Sequence, residues 1–314
     1  MDITSLYYFR ELSKDFHMTH TAKRLFISQQ TLSNRIKCLE DSCGTPLFYR
    51  KPKLRLTTAG EAVLDFAIKV LREKKNLDDI ISEIKEEERG VIKFGASSLR
   101  VNKLLPNILP EFSKHYPNIE IRITNETSNK LEPLIENGIL DIANVVSYIP
   151  NKEIISMPLM KDQVYLCVSE NLLKKYYFED MDFLLSHCQY KADITDFSKI
   201  PLCMLSNKLG QKVNDCFLVA GIKPKIYATT SSVNTGTLIG ITGVAGFFAT
   251  KTSLINQKET LPLDLKIFPL FINNQPFYQE VFLIYHKDRY MTHYAKHFIM
   301  LLENYYSKME NTSL

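Results

Sequence analysis

The polar side chains that begin at Ser28 are the residues of this chain best suited to recognising another molecule. In the stretch SQQTLSNRIKCLE, residues 28–40, Leu32, Ile36 and Leu39 have the i, i+4 and i+7 spacing of a helix with one buried face. The other faces carry amides, hydroxyls and cations before the first acid. Amides pair with base edges and cations with phosphates, so this surface predicts contact with nucleic acid. The candidate residues are Ser28, Gln29, Gln30, Thr31, Ser33, Asn34, Arg35 and Lys37.

A cluster of cations follows in residues 46–57, a stretch that reads as a hairpin wing. Arg50, Lys51, Lys53 and Arg55 lie close together there. On a wing beside a duplex such cations would contact phosphates, which set the register without reading the sequence. Arg50 and Lys53 are assigned to DNA binding, with a solvated loop as the alternative.

Three short helices would position these residues. The spacing of Leu6, Phe9 and Leu12 predicts a first helix over residues 3–15. Thr19 is predicted to cap a second helix running from His20 to Phe26 and is also a DNA-binding candidate, and Ser28 is predicted to cap the third. Two short helices joined by a tight turn form a helix-turn-helix, whose second helix enters a major groove.

Composition sets broad limits on the function. The chain has 314 residues, 45% of them hydrophobic and 24% charged, which is typical of a folded protein with about two domains. Residues 1–58 hold ten Lys and Arg against five acids, so the positive charge concentrates in an N-terminal module that would meet a polyanion. No signal peptide or membrane segment is recognisable, so we expect a cytoplasmic protein with no membrane partner and reduced cysteines.

A long helix is predicted to follow the wing. Thr58 and Glu61 form a capping box, with Thr57 an equally suitable cap, and no proline or glycine follows Gly60 before Glu88. A heptad seam predicts a coiled coil and hence a homodimer, because one helix cannot bury the seam alone. A helix packed on its own chain is the alternative. The seam residues, assigned to dimerisation, are Val63, Val70, Leu77 and Ile84.

From Gly90 onward, strand-like and helical segments alternate, which predicts an α/β domain with a parallel sheet. Several strand-to-helix junctions carry serines, whose hydroxyls and neighbouring N–H groups could bind a small, anionic ligand such as a carboxylate. Helix capping is the alternative role for each serine, and Arg100 could add positive charge. The effector-binding candidates are Ser97, Ser98, Ser128, Ser206 and Ser232.

The N-terminal pattern resembles the LysR-type transcriptional regulators. The matching residues are Leu6, Phe9, Thr19, Ala22, Leu25, Ser28, Gln29, Leu32, Ser33, Ile36, Leu39, Glu40, Gly44, Leu47, Phe48, Arg50, Leu56, Thr57, Ala59 and Gly60. The stretches LLPNILPEFSKHYPNIEIRI and LIENGILDIA also resemble the effector domain of that family.

The resemblance implies an α/β protein overall, with three parts. These are an N-terminal winged helix-turn-helix (1–58), a long linker helix for dimerisation (59–89) and a C-terminal effector-binding domain (90–314). The last would be similar to a periplasmic binding protein with two subdomains, about 91–161 with 268–310, and about 162–267. The chain would cross between them at DQVYLCVS and return at KIFPLF.

The resemblance also implies a function. The protein would be a sequence-specific regulator that binds double-stranded promoter DNA, acts indirectly on RNA polymerase, responds to a small-molecule effector and assembles as a homotetramer built from dimers.

Other chemistry has weaker support in the sequence. Cys203 and Cys216 could form a redox switch, as in one branch of the family, although buried structural thiols are the simpler interpretation. His293 and His297 have a helical spacing that could hold a metal, but no further ligands complete a site. No catalytic motif is recognisable, so we expect no enzyme activity, cofactor or metal. A ligand-binding or enzymatic protein with the binding-protein fold is the remaining alternative.

Overall fold

Three helices and a small hairpin form the first part of the chain. The computed structural model describes residues 1–85 and 89–314. One of its two units comprises residues 1–90, 137–139 and 288–292. Its elements are α1 (Ile3–Leu12), α2 (Met18–Arg24), α3 (Gln29–Cys43), β1 (Phe48–Tyr49), β2 (Arg55–Leu56) and α4 (Thr58–Ile84). Helix α1 ends three residues earlier than predicted. Strands β1 and β2 pair antiparallel, so residues 46–57 contain the predicted hairpin.

Helix α3 is anchored by the apolar stripe that the sequence predicts. Leu32, Ile36 and Leu39 are buried and pack with Phe9 of α1 and Phe48 of β1 in one core. Ser28 caps α3 as predicted, since its Oγ accepts a hydrogen bond from the N–H of Thr31 at 3.0 Å. The buried stripe therefore fixes which side of α3 faces outward.

The predicted boundaries of α2 are wrong at both ends. Nδ1 of His17, not the hydroxyl of Thr19, caps the helix by accepting from the N–H of His20 at 3.2 Å. The helix ends at Arg24 because Phe26 adopts a left-handed conformation with φ of 56°, which turns the chain into α3. The N–H of Ile27 then reaches the carbonyl of Ala22 at 3.0 Å.

Helix α4 begins after Thr57, the second of the two predicted caps, whose Oγ1 accepts from the N–H of Gly60 at 2.9 Å. Gly60 packs directly on the backbone of the preceding segment, since a Cβ there would lie 2.1 Å from the carbonyl oxygen of Leu47. The expected end of the helix near Glu88 lies outside the described residues.

The heptad residues of α4 divide into two environments. Val63 and Val70 are partly buried against the core that also contains Phe9 and Ala67. Leu77 and Ile84 are 56% and 75% exposed. The first half of α4 thus packs on its own unit, while apolar side chains remain uncovered on the second half.

A polar network joins α4 to the segment 288–292 of the same unit. Asn76 donates from Nδ2 to the carbonyl of Asp288 at 2.7 Å and accepts at Oδ1 from the N–H of Tyr290 and from Arg289 Nη1, both at 2.9 Å. Tyr290 donates its hydroxyl proton to Glu83 at 2.6 Å. Hydrogen bonds therefore hold this segment against one face of α4.

The second unit comprises residues 91–136, 140–287 and 293–314 and contains the α/β part of the chain. Its helices are α5 (Ser98–His115), α6 (Ser128–Glu136), α7 (Glu170–Tyr177), α8 (Met181–Cys188), α9 (Lys208–Val219), α10 (Val233–Gly240), α11 (Lys251–Gln257) and α12 (His293–Asn311). Its strands are β3 (Gly90–Ala96), β4 (Ile119–Asn125), β5 (Ile142–Val146), β6 (Ile154–Ser169), β7 (Ala192–Asp193), β8 (Pro201–Leu205), β9 (Lys225–Thr230), β10 (Gly246–Thr250), β11 (Leu265–Ile272), β12 (Gln275–Pro276) and β13 (Tyr278–His286). Short 3-10 turns occur at Ile194–Phe197 and Lys258–Thr260.

Strand β6 joins two halves of this unit. The main strand order is β4-β3-β5-β13-β6-β10-β8-β9, with β11 paired to β6, β7 and β12. Residues 154–163 of β6 pair with β13, and residues 164–169 pair with β10 and β11. We call the half with β3, β4, β5 and β13 subdomain I, and the half with β8, β9, β10 and β11 subdomain II.

The return of the chain to subdomain I occurs later than expected. The stretch KIFPLF lies in β11, which still pairs with the subdomain II part of β6. Pairing with the other part begins at Tyr278, after the β11–β12 hairpin, and the carbonyl of Phe277 accepts from the N–H of Val164 at 2.8 Å. Asn273 and Asn274, both with positive φ, form the turn of this hairpin.

Each subdomain has an apolar core. Leu131, Val145 and Ile284 are among the buried residues of subdomain I, and Leu166, Phe197 and Phe248 are among those of subdomain II. Among the described residues, no helix is long and apolar enough to cross a membrane.

Candidate nucleic-acid interface and ligand cleft

The outward face of α3 carries most of the predicted recognition residues. Ser33 is half-buried beside the core stripe. The exposed residues are Ser28, Gln29, Gln30, Thr31, Asn34, Arg35 and Lys37. The structure therefore gathers on one surface the amides, hydroxyls and cations that could pair with base edges and phosphates.

Two hydrogen bonds organise the first turn of α3. The hydroxyls of Ser28 and Thr31 lie 2.8 Å apart. Thr19, on α2, donates its hydroxyl proton to Oε1 of Gln29 at 2.9 Å. The polar groups at the N-terminal end of α3 are thus held by their neighbours.

An ion cluster fixes α2 on α1. Glu11 is buried, and its carboxylate contacts Arg10 at 2.9 Å, Lys14 at 2.6 Å and the guanidinium of Arg24. Burial alone would raise the pKa of Glu11, but the hydrogen bond and charge of Lys14, together with the two arginines, lower it. Arg24 also donates to the carbonyl of Glu11 at 2.8 Å.

Asp15 reinforces the same junction. Its carboxylate accepts from Thr21 Oγ1 at 2.5 Å and contacts His20 Nδ1 at 2.9 Å and Arg24 at 3.3 Å. Partial burial opposes the charged form, but these hydrogen bonds outweigh it and lower the pKa of Asp15 to about 2. Because α2 packs on α3, these contacts also set the position of the recognition surface.

The wing is tied to α3 through Glu40. One oxygen of Glu40 accepts from the N–H of Leu47 at 2.9 Å, and the other contacts Arg50 at 3.0 Å. Arg55 lies over the ring of Tyr49, 4.6 Å from its centroid. Lys51 and Lys53 are exposed. The structure thus places Arg50 next to the C-terminal end of α3.

The five predicted serines of the second unit line a single cavity of about 300 Å³, the size of a small-molecule site. Ser97, Ser98 and Ser128 come from subdomain I, and Ser206 and Ser232 come from subdomain II. The cavity is therefore a cleft between the two subdomains.

Some of these serines also support the fold. The Oγ of Ser128 accepts from the N–H of Val146 at 3.0 Å, and the Oγ of Ser232 caps α10 by accepting from Thr235 at 3.3 Å. Ser206 does not cap α9, because Asn207 does so through the N–H of Gly210 at 3.1 Å. Ser97 makes no capping bond and instead accepts from Arg100 at 3.2 Å.

Gln279, Thr250 and Lys208 are among the cleft residues that the serine pattern does not predict. Gln279 is the second residue of β13, and Thr250 caps α11; both are buried and line the cavity. Thr250 and Gln279 do not belong to the serine pattern. They lie far from most of the cleft serines along the chain, so the sequence does not indicate that they are close to them in space. Lys208 directly follows the α9 cap, which is the one sequence signal that could have indicated it.

Two cations line the cleft, Arg100 of α5 and Lys208 of α9. Lys208 forms an ion pair with Glu132 of α6 and donates to the carbonyl of Ser147 at 3.2 Å. Glu132 lies one helical turn after Ser128, so this pair bridges subdomain I and subdomain II. The cleft thus combines hydroxyls, helix N-termini and positive charge, which suits an anionic molecule.

Comparison with known families finds a match for each of the two parts of the chain. Residues 3–61 match the family described as "Bacterial regulatory helix-turn-helix protein, lysR family", and residues 85–307 match "LysR substrate binding domain". The chain belongs to the LysR family. It is a LysR-family transcriptional regulator with a DNA-binding helix-turn-helix and an effector-binding domain, as the sequence resemblance predicts.

Individual relatives have the same organisation. The chain is 30% identical over 203 residues to the uncharacterized HTH-type transcriptional regulator YkuM of Bacillus subtilis (strain 168), covering 64% of this chain and 67% of that protein. A full-length OxyR variant from Pseudomonas aeruginosa superimposes with a TM-score of 0.68 at 20% identity, covering 100% and 99% of the two chains. Full-length CbnR in complex with its target DNA superimposes with a TM-score of 0.57 at 17% identity, covering 98% and 100%.

The cysteines of this LysR-family chain are free thiols in mostly apolar surroundings. Cys167, Cys188 and Cys203 are buried, Cys216 is half-buried and Cys38 is exposed. Burial raises the pKa of Cys203, and burial together with Asp215 raises the pKa of Cys216. Burial and the neighbouring Asp196 raise the pKa of Cys188 to about 12. A raised pKa disfavours the reactive thiolate, contrary to what a redox switch requires.

His297 of α12 packs against the rings of three neighbouring side chains. The ring of His297 lies 5.1 Å from that of His115, 5.5 Å from Tyr116 and 6.3 Å from Phe112, measured between centroids. His293 is the first residue of α12. This packing is the ordinary structural role for a histidine at that position.

Proposed function

We propose that α3 reads the bases of a major groove and that the wing contacts phosphates. The observation that carries this is the outward face of α3, which presents Gln29, Gln30 and Asn34 while its opposite face is locked into the core. A glutamine amide can pair bidentately with adenine. Ser33 and Thr31 would add base or phosphate contacts. Arg35, Lys37, Arg50 and Lys53 would contact the backbone, as would Ser28 through its hydroxyl.

Electrophoretic or anisotropy titrations with duplex DNA at several salt concentrations test this proposal. Arg50→Gln should weaken binding to all sequences and lower the slope of log affinity against log salt by about one phosphate contact. Gln29→Ala should instead reduce preference at one base pair. Lys69→Gln, an exposed cation on α4, is the matched control for a lost charge. Failure to bind any promoter fragment at moderate salt, including its own upstream region, would refute the proposal.

We propose further that the effector is a small anion bound in the cleft. Ser97, Ser98, Ser128, Ser206 and Ser232 would supply hydroxyls, and Arg100 and Lys208 would supply charge. Binding would shift the relative orientation of the two subdomains. A thermal-shift screen against small carboxylates tests this, because a ligand that binds the folded state raises the melting temperature. Cationic and neutral analogues of any compound that stabilises the protein should have no effect.

The protein is proposed to act as a homodimer through α4 and as a tetramer built from two dimers. Exposed apolar side chains on the second half of α4, above all Leu77 and Ile84, are the supporting observation. Val63 and Val70 would contribute from the first half of the seam. Leu77→Lys should shift the sedimentation equilibrium toward monomer, whereas Leu263→Lys, at an even more exposed apolar site elsewhere, should not. Equal mass distributions for the two variants would place the interface away from α4.

Promoter binding in the cytoplasm, with an indirect effect on RNA polymerase, completes the proposal. We propose no enzymatic activity, cofactor or metal. A thiol-based sensor remains the second candidate function, favoured by the structural likeness to OxyR and opposed by the raised pKa of Cys203 and Cys216.

A further inference from the structure

The hydroxyl of Thr19 is directed to the recognition helix rather than to its own. His17 caps α2, so the Thr19 side chain has no capping role. Its Oγ1 instead donates to Oε1 of Gln29, ten residues further along the chain, at 2.9 Å. Both side chains are exposed on the surface that carries the proposed base-reading residues. The bond therefore joins α2 to the first turn of α3 through a side chain that would enter the groove.

This hydrogen bond controls the orientation of the Gln29 amide. An unrestrained glutamine rotates about several bonds and can present either end of its amide, and a bound partner must then select one arrangement. With Oε1 directed to Thr19, the Nε2 donors of Gln29 remain for acceptors on base edges, such as purine N7. The second lone pair of Oε1 still permits the bidentate pairing with adenine.

We propose that Thr19 is a positioning residue for base recognition, which fixes the orientation in which Gln29 presents its amide and so sets base preference at the position that Gln29 reads. This inference rests on the proposed role of α3. The rival role for Thr19 is a phosphate contact, which would affect every DNA sequence equally. Loss of the Thr19 hydroxyl would change base preference if Thr19 positions Gln29, and would change overall affinity if Thr19 contacts a phosphate.

Selection from a randomised duplex library with the full chain distinguishes these roles. The variants are Thr19→Val, which removes the hydroxyl and keeps the branched shape, Thr19→Ser, which restores a hydroxyl, and Gln29→Ala. Thr19→Val should reduce base preference by about fivefold at the same base pair that Gln29→Ala affects, and Thr19→Ser should recover it. In the Gln29→Ala background, Thr19→Val should change nothing further at that base pair. Gln211→Ala, which removes an exposed amide from α9, is the control and should leave this base pair unaffected.

Three results would overturn the inference. The first is an unchanged base preference in Thr19→Val. The second is a uniform loss of affinity with a shallower salt dependence, which would identify a phosphate contact. The third is a Thr19→Ser variant that behaves like Thr19→Val, since a restored hydroxyl that recovers no base preference would show that the hydroxyl does not position Gln29. A wild-type protein that enriches no sequence at all would refute the proposed function itself, and this is seen before any variant is compared. Thermal melts of each variant identify any loss of folding.

Discussion

The guanidinium of Arg289 lies 2.5 Å from a carboxylate oxygen of Asp79, although 210 residues separate them along the chain. The two side chains are only 8% and 12% exposed. Arg289 also bonds to Asn76, and Lys75 contacts Asp79 at 3.2 Å. These mostly buried charges are tolerated because each has a close partner of opposite charge. The pair therefore favours this one arrangement of segment 288–292 on α4.

Breaking this pair should destabilise the protein strongly. Asp79→Ala removes a mostly buried carboxylate that contacts both Arg289 and Lys75, and we expect a loss of about 3 kcal/mol in the free energy of unfolding. The adjacent Asp78 forms an exposed pair with Lys74 at 2.6 Å, so Asp78→Ala should cost less than about 1 kcal/mol. Urea titrations of the full chain measure both. Equal losses would show that Asp79 is no more than a surface charge.

Local patterns predict the elements of the first unit, but long-range contacts correct them. The stripe of Leu32, Ile36 and Leu39 and the cap at Ser28 follow from helical spacing, which any single helix must satisfy. The cap of α2 was misassigned because His17 is an uncommon capping residue and Thr19 a common one. Contacts between α4 and residues 288–292 leave no local pattern in the sequence at all.

Stability in acid should report on Asp15. Its pKa is about 2 in the folded chain and near 3.8 when unperturbed, so its folded pKa is depressed. Such a group contributes stability that is present above the unperturbed pKa and is lost as pH falls from about 4 to 2. Asp15→Asn should therefore lower the melting temperature relative to wild type at pH 5 to 7, and the difference should shrink below about pH 4. Asp41→Asn, an exposed acid on α3, is the control. A difference that stays constant to about pH 2 would contradict the low pKa.

The ion pair between Lys208 and Glu132 should compete with an anionic effector. Lys208→Gln should weaken binding of a stabilising carboxylate by about tenfold, because a charged hydrogen bond is lost. Glu132→Gln should tighten it, since it leaves Lys208 without its carboxylate partner. Glu126→Gln is the control. It also removes one negative charge, but Glu126 lines the cleft and pairs with Lys130 inside subdomain I, not with Lys208. Isothermal titrations that find equal gains for the two glutamate variants would show a general charge effect instead.

The serines of the cleft can be predicted because the residues that begin helices can be recognised in a sequence. Ser97, Ser128 and Ser232 each follow a strand, and parallel strands bring such junctions to one edge. Gln279 is the second residue of a strand and does not follow one, and the pairing of β6 with β13 brings it to the same cavity. The ion pair between Lys208 and Glu132 forms only when the two subdomains are assembled.

Cysteine reactivity should separate the two candidate functions. Cys38 is exposed, whereas Cys203 is buried and its pKa is raised by burial. Brief treatment of the native protein with iodoacetamide, followed by peptide mass spectrometry, should therefore modify Cys38 and leave Cys203 protected, because the thiolate is the nucleophile. Cys203→Ser should retain DNA binding and its response to the effector. Rapid modification of Cys203, or a response lost in Cys203→Ser but kept in Cys38→Ser, would instead favour the thiol-based sensor.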